Sequence, residues 1–228
     1  MTDKISRREF IYLSAAVSLL FPLRSHAMNG DNIDPISQYP DTISGLKKAF
    51  KAEMVAHEYY LGYVKKALTE KYPNIAYMFY AFSFSEKIHA ENYQRLLSEW
   101  GIEIHNTQVP ITVRDTKSNL KKAAENELEK IKTFYPELLK KLEPESCEES
   151  IINSMYAWKS HRQHEAKVKE IQKYSRFFFG SIASRIEGLN FDFHICKICG
   201  STIDKVPQFP CEICNKSVLH YKKVDMPG

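Results

Sequence analysis

Residues 42–173 carry a repeating apolar pattern that packed helices can bury. Apolar residues recur every three or four positions, and Pro73, Gly101 and Pro144 divide the pattern into four long segments. The connection at Pro73 is short, so its two helices should be antiparallel. The connection over residues 101–117 is long enough to cross the whole length of a bundle. We therefore predict a mainly α fold, a four-helix bundle with a long crossover between helices 2 and 3.

The apolar face of each helix is interrupted by residues that do not belong in a hydrophobic core. They are three glutamates and three histidines: Glu53, Glu86, His89, Glu127, His161 and His164. A buried carboxylate must be protonated, paired with a cation or bound to a metal. A misjudged helix phase would place these residues in solvent, but that error would have to recur in four helices. Glu86 and His89 also form the i, i+3 pair of carboxylate-bridged di-metal centres, which predicts a buried metal site in a ferritin-like bundle.

Two Cys-x-x-Cys pairs near the carboxyl terminus predict a second metal site. The four cysteines are Cys196, Cys199, Cys211 and Cys214. Two such pairs are typical of a tetrathiolate site, and the turns after them contain Gly200 and Asn215, which tolerate a left-handed backbone. Disulfides are the alternative in an exported protein, but a bridge across a two-residue gap is strained. Sulfur ligands suit both iron and zinc, so the residues alone do not select the metal. The fifth cysteine, Cys147, is predicted to be unpaired.

The first 27 residues are typical of an export signal. Arg7 and Arg8 precede an apolar stretch from Phe10 to Leu23, and small residues end the segment at Ala27. Paired arginines at this place are typical of twin-arginine signals, so we expect export to the periplasm; an ordinary secretory signal is the alternative. The apolar stretch is shorter than the roughly 20 residues that span a bilayer, so we expect no membrane span after cleavage.

Composition excludes several other classes of protein. With 43% hydrophobic and 26% charged residues, the chain is neither disordered nor collagen-like, and a net charge of +4 gives no reason to expect nucleic-acid binding. The predicted organisation is a signal at 1–27, a linker at 28–41, the bundle at 42–173, a connecting helix or linker at 174–190, and a four-cysteine domain at 191–228.

A carboxylate and histidine bundle followed by a four-cysteine module resembles the rubrerythrin family. The matching positions are Leu46 to Ala67, Glu86 and His89, Asn119 and Leu120, Glu127, Tyr135 and Pro136, His164, and the two cysteine pairs. The resemblance implies a small β-rich rubredoxin-like domain after the bundle, a di-iron site in the bundle, and one iron on the four cysteines, with zinc possible there. It places Tyr60 and Tyr135 beside the di-iron site. It also implies peroxidase activity on hydrogen peroxide, an unidentified electron donor and a homodimer.

Two positions depart from the family pattern. Lys130 stands where the family has a glutamate that exchanges with a histidine as a ligand, and His161 stands where the family has a bridging glutamate. Lys130 either extends into solvent or projects into the metal site, where it would repel a second metal or donate a proton. Glu165 could supply the missing oxygen ligand only if the fourth helix were rotated.

Three functions are compatible with the sequence. The leading interpretation is an exported non-haem iron peroxidase, in which electrons pass from a tetrathiolate iron to a di-iron site. The second is an electron-transfer or metal-binding protein whose bundle site has degenerated at Lys130 and His161. The third is an iron-oxidising scaffold whose cysteines hold a structural zinc ion.

Overall fold

The computed structural model describes residues 35–105, 110–173 and 186–228, which lie in one compact unit. The helices are α1 (Pro35–Gln38), α2 (Pro40–Thr69), α3 (Pro73–Glu99), α4 (Thr116–Glu129), α5 (Tyr135–Leu142) and α6 (Glu148–Lys173). The strands are β1 (His194–Cys196), β2 (Thr202–Ile203) and β3 (Tyr221–Lys223). The predicted export signal at 1–27 lies outside the described residues, as do residues 174–185 of the predicted connecting segment. No helix within the described ranges is long and apolar enough to cross a membrane.

The predicted ferritin-like bundle with a long crossover is confirmed. Helices α2 and α3 form an antiparallel pair across the tight turn before Pro73, and the long connection after Gly101 leads to α4. Proline stands in the first turn of both α2 and α3, where its missing N–H costs nothing. Because α2 begins at Pro40, the segment predicted as a linker at 28–41 contains a helical turn and the start of the bundle.

The third long helix differs from its prediction. A five-residue π segment, Lys130–Phe134, separates α4 from α5, and the N–H of Tyr135 bonds the carbonyl oxygen of Lys130. Pro136 follows directly, and the wider turn accommodates a residue that has no N–H and whose ring crowds the preceding turn. The predicted apolar face continued through Ile131 and Phe134, but the buried side chains are those of Lys130 and Tyr135.

The four-cysteine domain shares a hydrophobic core with the bundle. Its strands form an antiparallel sheet in the order β2-β1-β3. The hydroxyl of Tyr77 in α3 donates to the carbonyl oxygen of Val224 at 2.6 Å and accepts the N–H of Phe193 at 3.1 Å. The rings of Tyr77 and Phe193 pack edge to face at 5.0 Å, and Ile195 lies in the same apolar cluster as Phe79 and Phe82 of the bundle. This packing places the cysteines beside α3 and α6.

Candidate metal centres

The six predicted bundle ligands converge in the interior. Helices α2, α3, α4 and α6 each contribute, and every one of the six side chains is at most 2% exposed. They form two overlapping groups that share Glu86 and His161, and within each group the ligand atoms lie within 4.8 Å of one another. The Glu53 group consists of Glu53, Glu86, His89 and His161. The Glu127 group consists of Glu86, Glu127, His161 and His164.

The Glu127 group fits a bound metal ion. Among the described residues, neither Glu86 Oε1 nor His164 Nδ1 has a hydrogen-bond partner, and these two buried atoms lie 3.5 Å apart. An unsatisfied buried polar atom costs about 1–3 kcal/mol, and a metal ion bound between these two atoms would satisfy both of them. Carboxylate and imidazole ligands together suit iron. The donor set therefore fits the iron that such bundles hold.

Lys130 lies inside the Glu53 group, so its interpretation as a solvent-exposed residue is wrong. Its side chain is 9% exposed, and its Nζ lies 2.5 Å from Glu53 Oε2, 3.7 Å from Glu86 Oε2 and 3.5 Å from His161 Nε2. The π segment that begins at Lys130 turns this side chain inward. Glu165 faces away from the centre, because its carboxylate lies 2.5 Å from the exposed Lys169 ammonium.

The charges of the cluster compensate one another. Burial alone would raise the pKa of Glu127, but His161 and His164 lower it to about 2. Burial would lower the pKa of His161, but the surrounding carboxylates, Glu86 foremost, raise it to about 10. Burial likewise opposes the charge of Lys130, whereas Glu53 and Glu86 raise its pKa above the ordinary value. Without a metal ion, the buried carboxylates are therefore ionised and are neutralised by protonated neighbours.

Tyr60 and Tyr135 each hold one carboxylate. Tyr60 donates its hydroxyl proton to Glu127, and Tyr135 donates to Glu53. Burial, followed by the nearby carboxylates, raises the pKa of both tyrosines, so they keep their protons and fix the orientation of the acceptor oxygens. Tyr93, which the sequence predicted only as part of an apolar face, donates to the Tyr135 hydroxyl at 3.2 Å. Sequence alone carried no signal for this role of Tyr93.

The four cysteines form a compact and buried group, and all five cysteines of the chain are free. The Sγ atoms of Cys196 and Cys214 lie 3.7 Å apart, and those of Cys199 and Cys211 lie 3.5 Å apart. Four thiolates at about 2.3 Å from a tetrahedral ion would be separated by about 3.8 Å, which is close to these distances. The observed Sγ–Sγ distances exclude disulfide bonds, whose S–S bond length is about 2.05 Å.

Backbone geometry in the two cysteine turns agrees with this assignment. Gly200 and Asn215 have φ angles of 75° and 56°, the left-handed conformation that the sequence predicted. The N–H groups of Cys199 and Cys214 donate to the sulfurs of Cys196 and Cys211. Such hydrogen bonds stabilise thiolates and tune the potential of a bound metal.

The cysteine cluster contacts the bundle centre through His89. Its Nε2 lies 3.2 Å from the carbonyl oxygen of Cys199, and its Nδ1 lies 3.1 Å from Glu86 Oε2. A carbonyl oxygen can only accept, so we assign a proton to Nε2, and Nδ1 is the nitrogen that faces the Glu86 carboxylate. Ser85 donates to the Gly200 carbonyl oxygen at 2.6 Å and holds the turn in place. Sequence analysis missed both Ser85 and the close approach of Gly200.

Together, the ferritin-like bundle with a buried carboxylate and histidine centre and the adjoining four-cysteine domain define the class of iron-binding oxidoreductases with a rubredoxin-like module. The profile of the family described as Rubrerythrin matches residues 45–172, more than half of the chain. The chain therefore belongs to the rubrerythrin family, whose members bind iron. Its two clusters are consistent with the di-iron and rubredoxin-like sites of that family.

Two similar proteins each match about three quarters of this chain and most of their own length. Rubrerythrin-2 of Clostridium acetobutylicum is 28% identical over 179 residues, which are 76% of this chain and 91% of that protein. Nigerythrin of Nitratidesulfovibrio vulgaris is 28% identical over 177 residues, or 76% of this chain and 81% of its own. A solved structure of nigerythrin in a mixed-valence state has a TM-score of 0.69 at 23% identity and covers 80% of this chain and 86% of its own. At that identity the structure supports the fold alone.

Proposed function

We propose that this protein is an exported iron-dependent peroxidase that reduces hydrogen peroxide to water. The observation that carries the proposal is the contact between Cys199 and His89, which joins a four-cysteine cluster directly to a buried carboxylate and histidine centre. When bound, iron would supply the redox chemistry, with single electrons entering at the cysteines and two electrons being delivered to peroxide at the bundle centre.

A cavity on one side of the bundle has residues of the bundle centre in its wall. It has a volume of about 350 Å³ and lies between α2 and α4, with Tyr60, Glu127 and Lys130 in its wall. Ala52, Val55 and Ala56 supply an apolar side. A cavity of this kind can admit a small polar oxidant such as hydrogen peroxide.

Reduction of one hydrogen peroxide to two waters consumes two electrons and two protons. Two residues that line the cavity carry protons on groups bonded to the carboxylates of the centre, namely Lys130 on its Nζ and Tyr60 on its hydroxyl. Lys130 Nζ also lies 3.5 Å from His161 Nε2. A protonated amine at this position could supply a proton as the O–O bond breaks. The three carboxylates take no part as acids, since their charged neighbours keep them ionised.

The twin-arginine pattern at Arg7 and Arg8 supports the export part of the proposal. We propose the periplasm as the site of action, with an external electron donor that reduces the cysteine cluster and a homodimer as the assembled form. Replacement of both arginines by lysine in the full chain should retain the protein in the cytoplasm. An unchanged periplasmic fraction would contradict this route.

The peroxidase proposal is tested by comparing Cys199→Ser with Cys147→Ser in iron-loaded protein. Cys147 lies outside the cluster, beside the Ser150 hydroxyl at 3.0 Å, so its substitution is a matched control. Dithionite-reduced protein is mixed with hydrogen peroxide, and peroxide loss is followed together with the visible absorption of the ferric four-cysteine site. We expect the native chain and Cys147→Ser to consume peroxide repeatedly with added reductant, and Cys199→Ser to lose this turnover.

Two outcomes would contradict the proposal. If reduced native protein leaves hydrogen peroxide unconsumed, the peroxidase function is wrong and a metal-binding or electron-transfer role is favoured. If Cys199→Ser turns over at the native rate, electrons do not enter through the cysteines. Zinc in the four-cysteine site of protein isolated from its source, in place of iron, would favour the iron-oxidising scaffold.

A further inference from the structure

The two ligand groups of the bundle centre differ in one respect. Lys130 donates to Glu53 at 2.5 Å and therefore occupies the side of this carboxylate that a metal ion would need. Tyr135 holds the other oxygen of Glu53. In the Glu127 group, by contrast, Glu86 Oε1 and His164 Nδ1 are buried and lack hydrogen-bond partners among the described residues. One position is ready for an ion, and the other already contains a cation.

The charge of the centre leads to the same conclusion. Its three carboxylates carry a charge of −3, and the Lys130 ammonium together with one divalent ion carries +3. A second divalent ion would leave a charge of +2 among side chains that are almost completely buried. An uncompensated buried charge costs several kcal/mol, so the second ion is strongly disfavoured while the ammonium stays.

We propose that Lys130 is a built-in cation that holds one of the two metal positions of the bundle. The first divalent ion binds tightly to Glu86, Glu127, His161 and His164. A second ion binds only when it displaces the Lys130 ammonium from Glu53. The proposal concerns the same centre as the proposed peroxidase function, but its test measures metal binding without peroxide, so the two can fail separately.

The substitution that tests the proposal is Lys130→Glu, which removes the ammonium and adds a carboxylate. Lys132→Glu is the matched control, because Lys132 lies in the same π segment with its side chain exposed. Lys130→Met removes the charge without adding a ligand and serves if the glutamate variant does not fold. Circular dichroism of each full-length variant checks that the bundle has formed.

Manganese(II) is the probe, because it prefers carboxylate and imidazole ligands over thiolates. The four cysteines are first filled with zinc, the bundle is cleared with a chelator, and free manganese is counted by electron paramagnetic resonance during titration. For the native chain and Lys132→Glu we expect one tight ion per chain and a second at least about a hundredfold weaker. For Lys130→Glu we expect two tight ions and the spectrum of a coupled pair. For Lys130→Met we expect a stronger second ion than in the native chain.

The proposal is overturned if the native chain binds two manganese ions with similar affinity or binds none in the bundle. It is also overturned if Lys130→Glu and Lys130→Met both keep the native stoichiometry and affinities. A second tight ion in Lys132→Glu would show that the added charge acts from a distance, and that result would remove the specific role of Lys130.

Discussion

The approach of Gly200 to His89 gives the sharpest prediction for the junction between the two metal centres. Gly200 has a φ angle of 75°, and a Cβ atom built on it would lie 2.4 Å from His89 Nε2 and 3.0 Å from Ser85 Oγ. Both the backbone conformation and the contact therefore require glycine. Gly200→Ala should push the Cys199 carbonyl away from His89 and weaken the junction.

The magnitude follows from the two separate penalties. An L-residue in the left-handed conformation costs about 1–2 kcal/mol. Overpacking against His89 adds about 1–3 kcal/mol, so the free energy of unfolding should fall by about 2–5 kcal/mol. Gly101→Ala is the matched control, because Gly101 has a φ angle of 71° but nothing within 4 Å of its Cβ position. It should lose only the conformational part.

The assay compares the urea unfolding of the two variants at equal metal content, with circular dichroism as the signal that monitors unfolding. A second readout is the rate at which peroxide reoxidises the four-cysteine iron, which should fall in Gly200→Ala and stay at the native value in Gly101→Ala. Equal stability losses in the two variants, together with an unchanged reoxidation rate in Gly200→Ala, would refute the close packing of Gly200 on His89.

Two further predictions concern the contact between the first turn of α3 and residues 186–189, and the bundle centre. Asn74 donates its side-chain N–H groups to the carbonyl oxygens of Ile186, Glu187 and Leu189 at 2.9, 3.1 and 2.8 Å. Asn74→Ala should lower the free energy of unfolding by about 1–3 kcal/mol in urea unfolding, and a change within experimental error would contradict this role. Because the pKa of His161 is raised to about 10, the metal-free centre holds a proton there at neutral pH that the metal must displace. Manganese affinity should therefore rise about tenfold from pH 6.5 to 7.5, and an affinity independent of pH would contradict this proton release.

The sequence predicted the residues of both centres because their chemistry conflicts with their surroundings. Glu53 and His161 interrupt apolar faces, and a polar residue at a core position is visible in any helical pattern. The cysteine pairs are equally easy to recognise in the sequence, since two Cys-x-x-Cys pairs are the spacing typical of a tetrathiolate site. The left-handed turns at Gly200 and Asn215 followed from residue type alone.

The burial of the Lys130 side chain could not be predicted from the helical pattern of the sequence. A regular 3.6-residue period carried the apolar face through Ile131, whereas the π segment shifts the buried face to Lys130 and Tyr135. A lysine is solvated in most helices, and no local rule indicates that carboxylates from two other helices will lie beside it. Only the assembled bundle supplies those charges.

The sequence by itself determined the bundle, its crossover, its family resemblance and the candidate ligands of both centres, because periodicity and spacing are local properties. Tertiary structure alone decided how these parts meet. It placed Cys199 against His89, brought the Tyr93 hydroxyl to that of Tyr135 and directed Lys130 to Glu53. Each of these contacts joins residues from different elements, and its energy depends on burial and charge that arise only when the helices and the four-cysteine domain pack together.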